Sequence, residues 1–151
     1  VTGVDFLAAP LAVARTKAVE QGVAVNLLHM DARAVATIPE RFDAVTDCGL
    51  FHSFDDAGRA EYVAALERLL EPGARFFMLC FSELEPGTHG PRRVTSDEIR
   101  AAFREGWRVE SIESARFEVS SGADGKEFTP GGAHAWFVTV RRQGPAPAAG
   151  A

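Results

Sequence analysis

The chain has 151 residues, the size of one domain, and its 46% apolar and 25% charged content is ordinary for a globular protein. A net charge of −5 leaves no dominant basic face for a phosphate backbone, and no run approaches the ~20 apolar residues that span a bilayer. Nucleic-acid binding and membrane spanning are thereby set aside, and the cytoplasm is the expected compartment.

In chain order, "VTGVD" (residues 1–5) reads as a strand ending in an acid. "APLAVARTKAVEQG" then spaces Leu11, Ala14, Ala18 and Val19 along one helical face before Gly22 stops it. "VAVNLLHMDA" is a second strand, and after a connection containing Pro39, "FDAVTDCGLF" gives a third that is largely apolar. In "DDAGRAEYVAALERLLEPG", Asp55 or Asp56 can cap a helix whose Val63, Leu66 and Leu70 recur at helical spacing, with Pro72 and Gly73 ending it. "ARFFMLCFS" is a continuous apolar run, as in a parallel strand covered on both faces.

"VTSDEIRAAFREG" carries agreeing helix signals: Thr95 and Glu98 for a capping box, Val94 and Ile99 for a hydrophobic staple, and Gly106 for a stop. "WRVESIESARFEV" and "HAWFVTVRR" are strand-like with no helix between them, so their polar connector "SSGADGKEFTPGGA" predicts an antiparallel hairpin with a long loop. The tail 143–151, "QGPAPAAGA", is expected to be disordered, leaving residues 1–142 as one domain. The cysteines, Cys48 and Cys80, sit inside apolar runs without metal-ligand or disulfide-framework spacing, and no histidine pair has zinc spacing, so no metal is expected.

This order of elements, closing in an antiparallel hairpin, resembles the class I S-adenosylmethionine-dependent methyltransferases from residue 1 to about 142. Asp5 after the first strand, "HMDA" with Asp31, "FDAVTDCGLFH" and "LLEPGARFFMLCF" are similar to the motifs that follow the family's glycine-rich loop. The resemblance implies an α/β fold: a Rossmann-like, mostly parallel sheet with helices on both faces and a C-terminal antiparallel β-hairpin. It also implies a strand and glycine-rich turn ahead of "VTGVDF", so the chain reads as N-terminally incomplete, with the strands at 1–5 and 42–47 facing a gap. S-adenosyl-L-methionine is the implied cofactor, and an oxygen, sulfur or nitrogen of a small molecule the implied methyl acceptor.

Asp5 stands at the carboxyl edge of the sheet, where open α/β folds bind ligands, and can accept both ribose hydroxyl hydrogens; the other reading is a turn or cap. Phe6 can lie beside adenine or ribose, or in the core. The resemblance gives Asp31 the adenine amino group and Ala32 a backbone N–H to the ring, against an Asx turn or helix cap. It places Asp47 and Cys48 at the methionine end of the cofactor, although for Cys48 plain packing is the preferred reading. His52, in "GLFHSF", is the candidate catalytic residue: a general base for a hydroxyl or carboxyl acceptor, or a group that orients the substrate or caps the next helix. "EPGTHGPRR" leaves the same sheet edge and either joins the acceptor pocket or presents solvated arginines.

Two other readings compete. A nicotinamide-dependent oxidoreductase also puts an acid after its second strand, but it requires a parallel closing strand in place of the hairpin. A noncatalytic module would keep the fold without the donor loop.

Overall fold

The computed structural model describes residues 1–118 and 128–144. Its elements are β1 (Thr2–Asp5), α1 (Ala8–Glu20), β2 (Asn26–His29), a 3-10 helix (Ala32–Thr37), β3 (Phe42–Cys48), a short 3-10 helix (Phe51–Ser53), α2 (Asp56–Leu69), β4 (Leu70–Phe81), α3 (Ser96–Ala102), β5 (Trp107–Phe117) and β6 (Ala133–Arg142). Most of the polar connector before β6, and the tail beyond Gly144, lie outside the described residues.

The strands form two sheets, β1-β2 and β3-β4-β6-β5. β1 runs parallel to β2 and β3 parallel to β4, whereas β6 is antiparallel to both β4 and β5. The chain therefore alternates strands and helices first and closes with the antiparallel hairpin that the sequence predicts. That closing strand is the one feature the nicotinamide reading could not have. No ladder joins β1 to β3, so the edges expected to face a gap have no strand between them among the described residues.

β4 organises the core because its alternate side chains serve two surfaces. Phe76, Met78 and Cys80 are fully buried and meet Tyr62 and Leu66 of α2, Ile99 of α3 and Val138 and Val140 of β6. On the other surface Phe77 stacks on Phe137 of β6, and Phe137 is still 39% exposed. α2 forms because Asp55 caps it, accepting from the Gly58 N–H at 2.8 Å, while Tyr62, Val63, Leu66 and Leu69 share its buried face.

In α3 both halves of the capping box are made: Thr95 Oγ1 accepts from the Glu98 N–H at 3.1 Å, and the Thr95 N–H donates to the Glu98 carboxylate at 2.7 Å. Val94 and Ile99, the staple residues, are fully buried. Thr95→Ala is expected to lower stability by about 1 kcal/mol, read as a shift in urea midpoint at unchanged slope.

Three sequence expectations are corrected in detail. α3 stops at Ala102 rather than at Gly106, because Phe103 leaves helical geometry (φ −107°, ψ 75°) to set its ring against Phe51, Phe76 and Trp107. Val19 does not join the buried face of α1: it is 81% exposed, since α1 packs chiefly on the narrow β1-β2 pair. β2 is four residues rather than ten, limited by the length of its single partner β1. Gly132 is required where the hairpin closes, because at φ +105° a Cβ would overlap the Phe117 carbonyl oxygen.

Candidate active site

Between the free edges of β1 and β3 lies a cleft of about 970 Å³ that runs the length of both strands, from Val1 and Phe42 at their amino ends to Asp5, Asp47 and Cys48 at their carboxyl ends, and so coincides with the gap that the resemblance predicts. Asp5, Phe6, Asp31, Ala32, Asp47 and Cys48 all line it. Parallel strands explain the convergence, because residues that end successive strands arrive at one edge of the sheet.

Each of these residues arrives with different partners. Asp5 is half-buried, and its Oδ1 accepts from the Leu7 N–H at 2.7 Å, which turns the chain into α1; its Oδ2 has no partner among the described residues. Phe6 is 68% exposed at the cleft wall, so the core reading of this ring is corrected. Its carbonyl oxygen is 2.8 Å from Nε2 of His29, a hydrogen bond that ties the end of β1 to the end of β2.

Asp31 caps the 3-10 helix through Oδ1, which accepts from the Arg33 N–H at 2.9 Å. The Arg33 guanidinium also donates to both carboxylate oxygens, at 2.6 Å for Nη2 to Oδ2, and this pairing holds the Asp31 carboxyl below its ordinary range. Ala32 opens the 3-10 helix, half-buried against the core.

Asp47 is 6% exposed, and burial pushes its carboxyl up to about 6 even though it accepts from the Leu50 N–H at 2.8 Å, the Tyr62 hydroxyl at 3.2 Å and the Phe51 N–H at 3.1 Å. It thus fixes the turn after β3 to α2. The Cys48 side chain is exposed in the cleft, which corrects its reading as plain packing.

His52 is not in the main cleft. It is 5% exposed and lines an adjoining hollow of about 530 Å³ with Gly49, Asp55, Pro91 and Arg92; the hollow shares Ser53 and Phe54 with the cleft. The "EPGTHGPRR" arginines are not free. Arg93 donates to the carbonyl oxygens of Glu85, Pro86, His89 and Pro91 and lies over the Phe81 ring, while Arg92 pairs with Asp56 and Glu98.

Sequence reasoning missed Glu85. Only 2% exposed, it accepts from the Thr129 N–H at 3.0 Å and the His134 N–H at 2.7 Å, and so pins the loop after β4 to the start of β6. Its partners lie 44 and 49 residues away, beyond any local signal. No group of three or more His, Cys, Asp or Glu side chains among the described residues could hold a metal ion.

Comparison with known proteins follows the same lines. A family model described as a methyltransferase domain matches residues 1–73. A 2-heptyl-1-hydroxyquinolin-4(1H)-one methyltransferase of Mycobacteroides abscessus is 32% identical over 137 residues, covering 87% of this chain and 59% of its own. A structure from work on converting a disulfide bond into a thioacetal group during echinomycin biosynthesis superposes with a TM-score of 0.77 at 30% identity, over 94% of this chain and 66% of that one.

The chain belongs to the class I S-adenosylmethionine-dependent methyltransferases. The fold is shared more widely still: an S-adenosylmethionine-dependent methyltransferase of Methanosarcina mazei superposes with a TM-score of 0.74 at 12% identity, over 94% of this chain and 81% of that one. The chain spans 59% of the length of the hydroxyquinolone methyltransferase. No helix among its described residues is long and apolar enough to cross a membrane.

Proposed function

We propose that this chain is part of a cytoplasmic enzyme that transfers a methyl group from S-adenosylmethionine to an oxygen, sulfur or nitrogen of a small molecule. The observation that carries this is the convergence of Asp5, Phe6, Asp31, Ala32, Asp47 and Cys48 on one cleft between β1 and β3. The donor set suits an adenosyl group. Asp5 offers an unpartnered Oδ2 to ribose hydroxyls, Phe6 offers an exposed ring, and the backbone at Ala32 and the carboxylate of Asp31 stand at the next strand end.

The cofactor supplies a methyl group already activated on a sulfonium, so the protein's task is alignment rather than acid or base chemistry. Asp47 contributes by holding the turn at Leu50 and Phe51 that leads into Ser53 and Phe54, the residues that cleft and hollow share. The net charge of −5 and the hydroxyquinolone named for the Mycobacteroides relative support a small acceptor over a nucleic acid. Two free thiols, Cys48 and Cys80, support a reducing compartment.

Calorimetric titration with S-adenosylhomocysteine and, separately, with NADH tests the class. In a version extended upstream through the strand and glycine-rich turn that the resemblance implies, saturable binding of the first without the second is expected. NADH binding alone would overturn the proposal.

A further inference from the structure

His52 lines the hollow next to Ser53 and Phe54, which the hollow shares with the cleft, and its hydrogen bonding fixes what it can do. Nδ1 accepts from the backbone N–H of Phe81 at 3.0 Å. A backbone N–H only donates, so Nδ1 must present its lone pair, and the ring proton is therefore on Nε2. Neither the imidazolium nor the other tautomer can make this bond. Nε2 has no hydrogen-bond partner among the described residues, although the ring itself is held by Phe81 and Phe117 at centroid distances of 5.1 and 5.9 Å.

The Nε2 edge is left open by a glycine. A Cβ on Gly49 would stand 3.5 Å from Cε1 and 3.7 Å from Nε2, and both residues line the hollow. The charged groups around the ring are Arg59 from α2, Arg93 and Arg92 from the loop before α3, and Asp55 ahead of α2. Burial, followed by the Arg59 and Arg93 charges, pushes the imidazole down to about 4, so it stays neutral at physiological pH.

We propose that the hollow beside the cleft is the acceptor subsite, and that His52 is a hydrogen-bond donor there, not a general base. Its Nε2–H grips an ionised oxygen, phenolate or enolate in class, on a planar ring seated between Phe54 and Pro91. This deepens the methyltransferase reading and rests on it for the transfer itself. The oxygen arrives deprotonated, so the O–CH3 bond forms as the S–CH3 bond breaks, with that electron pair returning to sulfur, and no proton passes through His52. The shared wall of Ser53 and Phe54 is where such an oxygen would face the donor cleft.

Two substitutions separate this role from its rivals. In His52→Asn the side-chain oxygen can still accept from the Phe81 N–H, but the outer donor is lost. In His52→Gln the amide nitrogen reaches the Nε2 position and the outer donor is kept. The probe is 4-nitrophenol, whose phenolate absorbance reports binding, titrated at pH 8 without cofactor into the wild type and both variants.

The expected result is saturable phenolate binding by wild type and His52→Gln, weakened about tenfold in His52→Asn, whose thermal midpoint stays close to wild type. Nitrogen shifts of the His52 ring should show Nε2 protonated and Nδ1 bare from pH 6 to 8. Equal binding by wild type and His52→Asn, equal loss in both variants, no phenolate binding by wild type, or a proton on Nδ1 would each overturn the proposal. S-adenosylhomocysteine affinity, measured in parallel, reports on the methyltransferase reading alone, so the two can fail separately.

Discussion

Phe76→Ala is expected to lower stability by about 3–5 kcal/mol, a large part of the roughly 5–15 kcal/mol available to an ordinary domain. Phe76 is fully buried at the middle of β4, edge-on to Tyr62 at 6.2 Å and tilted against Phe103 at 5.7 Å. Those neighbours come from α2 and from the turn after α3, so removing the ring opens a void that neither can close without breaking its own contacts. Tyr62 is held by Asp47 and Phe103 by Phe51 and Trp107. Phe137→Ala is the control, because that ring is 39% exposed on the opposite surface of the same sheet. Urea unfolding of both variants should show Phe76→Ala costing several times more; equal costs would mean that the core is not organised on this face of β4.

The second large effect concerns pH. Asp47 titrates at about 6 when folded against an ordinary 3.8, so the folded state binds its proton more tightly than the unfolded chain does. Its contribution is fully present below pH 3.8 and is lost as pH rises through 6, a fall of about 3 kcal/mol at 1.36 kcal/mol per pH unit. His52 has the opposite sign: it titrates at about 4 folded against an ordinary 6.5, so its contribution is present above 6.5 and is lost as pH falls through 4. The loss is again about 3 kcal/mol. The two slopes occupy nearly the same window and offset each other.

Wild-type stability is therefore expected to change little between pH 4 and 6.5 on account of this pair. Asp47→Asn should uncover stability that rises with pH across that window, and His52→Asn stability that falls. Denaturant midpoints at half-unit pH steps measure both. Parallel curves for the three proteins would show that these groups are not buried as the structure has them.

What the sequence made legible was local. The capping box at Thr95 and Glu98, the Asp55 cap and the helix-free run of the two final strands all rest on neighbours a few residues apart, and all are present. The acids at strand ends were legible as a group because parallel strands deliver their carboxyl ends to one edge, and six of the seven candidates line one cleft. Distant partners were not legible. Asp47 is buried by Tyr62, 15 residues on, and the His52 tautomer is set by Phe81, 29 residues on. The early end of α3 is likewise decided by where the Phe103 ring packs, not by Gly106.

The central claim is that the cleft between β1 and β3 holds the methyl donor, and the affinity of S-adenosylhomocysteine for wild type and for Asp5→Asn tests it most directly. The substitution keeps an oxygen for the Leu7 N–H, so the turn into α1 and the thermal midpoint should survive, while the charge offered to the ribose is lost. The account predicts binding weakened about tenfold or more. Both proteins carry the upstream strand and glycine-rich turn that the resemblance implies, and equal affinity in the two, or no saturable binding by either, would contradict it.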